Sequence, residues 1–313
     1  MAKADQKHAL RAQGLSKQFG GLTAVDGLDL AVAPGEIFGL VGPDGAGKTT
    51  TMRMLCGILE PSAGGAEVAG YDVARQPEAV KQHIGYMSQR FSLYGDLTVA
   101  ENLAFFANIY QVPKAERLQK EKELLQFSRL EPFRQRLAQN LSGGMKQKLA
   151  LACTLIHTPT VLFLDEPTTG VDPVSRRDFW KLLYALLREG VTLFISTPYL
   201  DEAERCNRVA FMHKGKILLS DTPEALKRQM RGTLLEIIVE PQRQAKEALT
   251  ALPQVLGVEV FGDRLHARVE AGGEAKAAIT AALSRPGLEL ISTRAIAPGL
   301  EDVFVSVVEG AER

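Results

Sequence analysis

The sequence has no excess of either charge, few cysteines and no long apolar run, and each shortage removes a class of function. Thirty-seven basic residues balance 37 acidic ones among 313. With no net charge nothing argues for a protein that coats a polyanion, and nucleic acid is disfavoured as the main partner. The three cysteines, Cys56, Cys153 and Cys206, are far apart, odd in number and set in apolar helical patterns. They read as buried small side chains in a reducing compartment, which argues against cysteine-held metal. His8, His83, His157, His213 and His266 share no ligand spacing. No apolar run approaches the ~20 residues needed to span a bilayer, and residues 1–11 are polar and charged, unlike a signal peptide. A soluble, cytoplasmic chain is expected. Its length suits one large domain and one smaller one, because single cores stop growing near ~250–300 residues.

What the chain does contain is organised around Gly42-Pro43-Asp44-Gly45-Ala46-Gly47-Lys48-Thr49, which fits the phosphate-loop pattern G-x-x-x-x-G-K-[ST]. Residues 36–41 ahead of it form an apolar run of buried-strand length, and residues 50–56 behind it read as a helix stopped by Gly57. Strand, loop and helix therefore come in the required order. Glycines let successive backbone N–H groups curl around a polyphosphate while the positive end of the helix dipole faces it. Lys48 is placed to hold the β- and γ-phosphates, and Thr49 to offer a hydroxyl to Mg²⁺.

The rest of the chain alternates strands and helices around this loop. Residues 8–32 read as two short strands joined at Gly20-Gly21, with Phe19 at the turn. Residues 90–157 are helical throughout and form an inserted subdomain, with Thr98 as a helix cap. Within it, Leu141-Ser142-Gly143-Gly144-Met145-Lys146-Gln147 opens a helix whose expected buried stripe is Met145, Leu149, Ala152 and Ile156. Val161-Leu162-Phe163-Leu164 is a buried strand ending in Asp165-Glu166, at the end where open α/β sheets bind ligands. Asp172-Pro173 caps the next helix. Another buried strand ends in Ser196-Thr197-Pro198-Tyr199. From about residue 232 the order becomes β-α-β-β-α-β, which is ferredoxin-like, followed by a last helix. The expected architecture is an α/β phosphate-loop NTPase core over 1–231, with the helical subdomain at about 90–157, and an α+β ferredoxin-like accessory domain over 232–313. That second domain holds no catalytic constellation, and a regulatory or dimerising role is expected of it.

The phosphate loop, the Ser-Gly-Gly segment and residues 161–166, in that order, resemble the ATP-binding cassette (ABC) family over about residues 8–230. The resemblance implies that Phe19 stacks on adenine and that Gly42, Asp44, Gly45, Ala46, Gly47, Lys48, Thr49 and Thr50 hold ATP. It implies that Thr49, Gln89 and Asp165 surround Mg²⁺, and that Glu166 is the general base for the attacking water. Gln89 also links the site to a membrane partner, with residues 91–99 on the same face. Ser142, Gly143, Gly144 and Asp172 serve a nucleotide sandwiched against a second cassette, in a homodimer or a heterodimer.

Two positions depart from the family. Asp44 replaces a more usual Asn, and Pro198 replaces a histidine that donates to the γ-phosphate, which a proline cannot do. An impaired site working beside a complete one is the expectation. The loop, the run Tyr199-Leu200-Asp201-Glu202-Ala203-Glu204 and the tail Leu300-Glu301-Asp302-Val303-Phe304 resemble ATPase subunits of bacterial ABC-2 exporters and the first half of tandem-cassette drug exporters. Such a chain is peripheral on the inner face of the membrane and powers export through a separate permease. The alternatives are a non-transport ABC ATPase acting on ribosomes or DNA, and a phosphate-loop kinase or GTPase, which the absence of Asn-Lys-x-Asp opposes.

Overall fold

The computed structural model describes residues 8–90, 93–270 and 273–312. Strands β1 (Leu10–Phe19) and β2 (Leu22–Val32) pair as an antiparallel hairpin. β3 (Ile37–Val41) leads through the phosphate loop into α1 (Lys48–Leu55), and β4 (Ala63–Val68), β5 (Tyr71–Asp72), α2 (Pro77–His83) and β6 (Ile84–Met87) follow. The helical insertion holds α3 (Val99–Ile109), α4 (Lys114–Ser128) and α5 (Gly143–Leu155). The chain then returns to β7 (Val161–Asp165), α6 (Pro173–Arg188), β8 (Thr192–Thr197), α7 (Leu200–Ala203), β9 (Arg208–His213) and β10 (Lys216–Asp221).

These elements build two sheets. The first, in the order β2-β1-β4-β5, is antiparallel; the second, in the order β10-β9-β3-β8-β7-β6, is parallel from β9 to β6. Every residue of β3, β7 and β8 is buried. Strands covered on both faces have no need to alternate, which is why they read as unbroken apolar runs. One core joins both sheets and α1: Leu15, Val25 and Val32 share it with Met52, Leu55, Phe163 and Phe194.

β1 and β2 are longer than the short strands expected, at 10 and 11 residues. Their register shifts between Ala12 and Leu15 and again at Lys17. There Gly14 N–H donates to the Asp29 carboxylate (2.8 Å) and Gly27 N–H to the Ser16 hydroxyl (2.8 Å), so side chains substitute for ladder partners and the alternation is broken.

The insertion has its own core of Val99, Leu103, Leu125, Leu130, Leu141, Leu149 and Cys153. Thr98 caps α3 in a capping box with Glu101, each side chain bonded to the other residue's backbone N–H. Within the stretch expected to be helical throughout, Glu131–Phe133 is a single 3₁₀ turn. α5 departs from a one-stripe pattern, since Ala150, Leu151, Cys153, Thr154 and Leu155 are buried beside Leu149 and Ala152 while Met145 is only partly so. It touches α3, α4, α6 and β6, so residues 149–155 are buried all round while Gly143 and Lys146 near its start stay exposed. Phe91, expected to face a membrane partner, lies outside the described residues.

The chain divides into compact units Met1–Ser220 and Asp221–Arg313, a boundary some ten residues earlier than sequence patterning suggested. The reason is α8 (Pro223–Gln229), which packs on α11 (Leu300–Glu312). Between them lie β11 (Thr233–Glu240), α9 (Gln242–Thr250), β12 (Val255–Phe261), β13 (Arg264–Val269), α10 (Gly273–Leu283) and β14 (Glu289–Ile296). The antiparallel sheet order β12-β13-β11-β14 is that of a ferredoxin-like domain. Leu235, Ile237 and Val239 of β11 meet Leu249 of α9 and Ile279 of α10 on one face. His266 and Arg268 point from the other face to Asp302 and Ser306 of α11. Among the described residues no helix is long and apolar enough to cross a membrane.

Replacing Thr98 by Ala deletes half of the capping box. The expected cost is about 1 kcal/mol, read as a lower urea midpoint with an unchanged slope.

Candidate nucleotide-binding site

The phosphate loop closes at Gly47, the N-cap of α1, with φ of 109°. A Cβ there would sit 2.5 Å from the Ala24 carbonyl oxygen, so both the dihedral and the space require glycine. Gly42 donates its N–H to the Thr197 carbonyl (3.4 Å), and the Ala46 carbonyl accepts from Gly215 N–H (2.9 Å). The loop is thus fastened to the end of β8 and to the turn between β9 and β10.

Lys48 is buried, and its Nζ donates to the carbonyl oxygens of Gly42 (2.7 Å) and Pro43 (3.0 Å). On its remaining side Nζ lies 3.5 Å from Glu166 Oε1, with the two side chains 4% and 7% exposed. Glu166 Oε2 accepts from the Gln89 amide (2.8 Å) and the Thr169 hydroxyl (3.3 Å). The Glu166 backbone is left-handed, with φ of 49°, and its N–H reaches both the carbonyl and the hydroxyl of Ser196 at 3.1 Å. A non-glycine residue held in that region costs roughly 1–3 kcal/mol, a strain that concentrates at working sites.

Asp165 ends β7, at the carboxyl edge from which the phosphate loop also emerges. It accepts from Ser196 (2.5 Å) and Thr49 (3.2 Å), with Tyr86 more distant at 3.5 Å. Burial, reinforced by the Asp165 charge, pushes the Tyr86 phenol up to about 12, so it stays a neutral donor. One hydroxyl and one carboxylate, both hard oxygen donors, suit Mg²⁺, which keeps waters and takes its other ligands from phosphates.

Around these groups opens a cleft of about 710 Å³, within the usual size for small-molecule sites. Phe19, Asp44, Gly45, Gly47, Lys48, Thr49, Thr50, Gln89 and Glu166 line it, and Gly42 and Ala46 do not. Phe19 is 47% exposed at the hairpin turn, with Lys17 Nζ 5.3 Å from its ring centre. Such an aromatic offers a free face for a base. Gln89 bonds to Glu166 rather than to Thr49 or Asp165.

Ser142, Gly143, Gly144 and Asp172 do not line this cleft. Ser142 caps α5 by accepting from Met145 N–H (3.3 Å), and Asp172 caps α6 by accepting from Ser175 N–H (2.9 Å). The Ser175 bonds also hold the Asp172 carboxyl below its ordinary range. A Cβ on Gly144 would meet Ser175 Cβ and Oγ at 2.5 Å, whereas one on Gly143 would meet open space. The two glycines therefore differ in purpose: the second admits α6, and the first leaves the helix end uncovered. Pro198 is half-buried just after β8.

Several residues of the site escaped sequence reasoning. Leu22, Thr23, Ala24, Lys214 and Gly215 complete the cleft wall. Glu202, 1% exposed, accepts from the hydroxyls of Thr197 (2.9 Å) and Thr168, with Arg176 Nε 3.7 Å away. This ties the segment around Pro198 to the loop after Glu166. Ser196, read in the sequence only as part of a strand end, donates to Asp165 and accepts from the Glu166 N–H.

A buried lysine and carboxylate at a glycine-rich loop, on the edge of a parallel sheet whose chain carries an inserted helical subdomain, define a phosphate-loop nucleotide-binding protein of the cassette type. Residues 25–169 match the ABC transporter family, and residues 222–308 match the family described as ATP-binding protein DrrA1-3-like, C-terminal domain. The chain belongs to the ATP-binding proteins of ABC transporters. It is 40% identical over 233 residues to the daunorubicin resistance ATP-binding protein DrrA2 of Streptomyces coeruleorubidus, covering 74% of this chain and 72% of that one. It is 45% identical over 220 residues to the probable multidrug ABC transporter ATP-binding protein YbhF of Escherichia coli, covering 70% of this chain but only 38% of YbhF. The chain thus matches well under half the length of that relative. A solved ATP-binding subunit of an ABC transporter superposes with a TM-score of 0.64 at 30% identity, over 71% of this chain and 92% of that one.

The two signature glycines give a paired test. Gly144→Ala is expected to destabilise by about 1–3 kcal/mol because Ser175 must give way, while Gly143→Ala is neutral or slightly stabilising. Urea unfolding of the two variants reads the contrast.

Proposed function

We propose that this chain is the ATP-hydrolysing subunit of an exporter, driving a substrate through a separate ABC-2 type membrane permease. The observation that carries the reading is Glu166, a buried carboxylate held between Lys48 and Gln89 at the mouth of the phosphate loop. Binding of ATP exchanges the carbonyl partners of Lys48 for the β- and γ-phosphates, with backbone N–H groups of the loop and the end of α1 turned to the same charge. Phe19 stacks on adenine. Thr49 and Asp165 would hold Mg²⁺, which when bound would supply charge neutralisation against the phosphates and the carboxylate that Asp44 adds to the cleft wall. Once Lys48 turns to phosphate, Glu166 Oε1 is released to accept a proton from water, while Gln89 keeps the other oxygen in place. The water oxygen bonds to the γ-phosphorus as the bond to the β-phosphate oxygen breaks, leaving ADP and phosphate.

Ser142, Gly143, Gly144 and Asp172 then serve ATP held by a second cassette, whether a copy or a different chain. Their position outside this chain's own cleft and the open space at Gly143 support that assignment. Gln89 and residues 93–99 face the permease, which places the chain on the cytoplasmic side of the membrane. Likeness to DrrA2 and YbhF, whose names describe drug resistance and multidrug transport, supports export over action on ribosomes or DNA.

At Pro198 the segment leaving β8 has neither a side-chain donor nor a backbone N–H for the γ-phosphate. Wild-type turnover of Mg²⁺-ATP by the purified chain is therefore expected to be low. Pro198→His raises it at least about tenfold, equivalent to roughly 1.4 kcal/mol of barrier, and Glu166→Gln removes it in both backgrounds. Rapid turnover by the wild type, unchanged by Pro198→His, sinks the impaired-site reading and leaves a self-sufficient homodimer.

A further inference from the structure

We infer that the outer edge of β14 pairs antiparallel with β14 of a second copy of this chain. β14 ends the sheet order of the C-terminal unit, and Glu289, Ile291, Ser292, Arg294 and Ala295 along it are exposed. Ile291 is 59% exposed, and of the devices that blunt a free edge the strand carries charged residues and a bulge but neither lysine nor proline.

The strand has one irregularity. Leu290 pairs with Val239 and Ser292 with Ile238, so Ile291 is an extra residue, a bulge. Ile237 and Val239 point into the core, and their partners Thr293 and Leu290 therefore share that face. Glu236, Ile238 and Glu240 alternate with them, and their partners Arg294, Ser292 and Glu289 share the opposite face. In a regular strand two residues five apart lie on opposite faces. Here the bulge brings Glu289 and Arg294 onto the same one.

That arrangement is self-complementary. About a two-fold axis between Ile291 and Ser292, Glu289 stands opposite Arg294 of the second copy and Leu290 opposite Thr293, each pair with matching faces. The charges favour the same register. Glu289 lies directly across from Glu240, an unfavourable pairing, and among the described residues neither carboxylate has an ion-pair partner. Arg294 holds Glu236 through Nε (2.7 Å) and is 67% exposed, which leaves its terminal nitrogens available to a second carboxylate. The occupant that supplies an arginine opposite Glu289 and a glutamate opposite Arg294 in one register is the chain itself.

Sedimentation velocity on the full chain without nucleotide and with a chelator reads this association apart from any ATP-dependent cassette contact, so its failure and that of the proposed function are separable. The wild type is expected to dimerise. Glu289→Arg sets arginine against arginine and Arg294→Glu sets glutamate against glutamate, each weakening the dimer at least about tenfold. An equimolar mixture of the two variants regains it, because every cross-strand pair is then opposite in sign. In the wild type, amide exchange across residues 289–296 slows as protein concentration rises. A monomeric wild type, variants that dimerise as well as it does, no recovery in the mixture of folded variants, or exchange independent of concentration each overturns the proposal. The exchange measurement holds even where a variant fails to fold.

Discussion

The nucleotide site depends on one buried ion pair. Lys48 and Glu166 come from opposite ends of the fold's logic, one from a loop designed for negative charge, the other from the end of an apolar strand. Both side chains are more than nine-tenths buried, so each needs the other, and a buried pair that loses a partner leaves an uncompensated charge worth about 3–5 kcal/mol. The surrounding bonds serve to hold this pair at the cleft mouth: Gln89 and Thr169 on the carboxylate, two loop carbonyls on the lysine. Ser196 then joins Asp165 and the Glu166 backbone, making the end of β8 a brace for both acids.

The second constraint is burial of β3, β7 and β8 on both faces. It puts the loop, Asp165, Glu166 and Thr197 on one edge of a single sheet, since parallel strands end together. Thr49 reaches Asp165 only because β8 lies between their strands and stops at the same level. Glu202 works one layer out, joining hydroxyls from the ends of two segments that are 29 positions apart, Thr168 and Thr197.

What could be read in the sequence was what is local in it. The phosphate loop, the acids after an apolar strand, the caps at Thr98, Ser142 and Asp172, and the β-α-β-β-α-β order each rest on neighbouring residues. Strand lengths in β1 and β2 were hidden because Gly14 and Gly27 take side-chain partners, which breaks the period-two pattern. The burial of α5 was underestimated because a stripe describes one packing surface, and α5 has several. Lys214, Thr168 and Glu202 were invisible for a different reason: their roles arise from partners distant in the chain, and a lysine in a turn or a glutamate in an acidic helix has no pattern of its own. The unit boundary moved because α8 belongs wherever its apolar side is covered, and only packing on α11 settles that.

The contact between Gly144 and Ser175 has a mechanical meaning. With no room for even one methyl group between them, the starts of α5 and α6 form a joint without play. A displacement of Ser142 is therefore expected to carry Asp172 with it, and the reverse. Two loops that look independent in the chain thus act as the jaws of one clamp, and whatever grips the first also sets the position of the second.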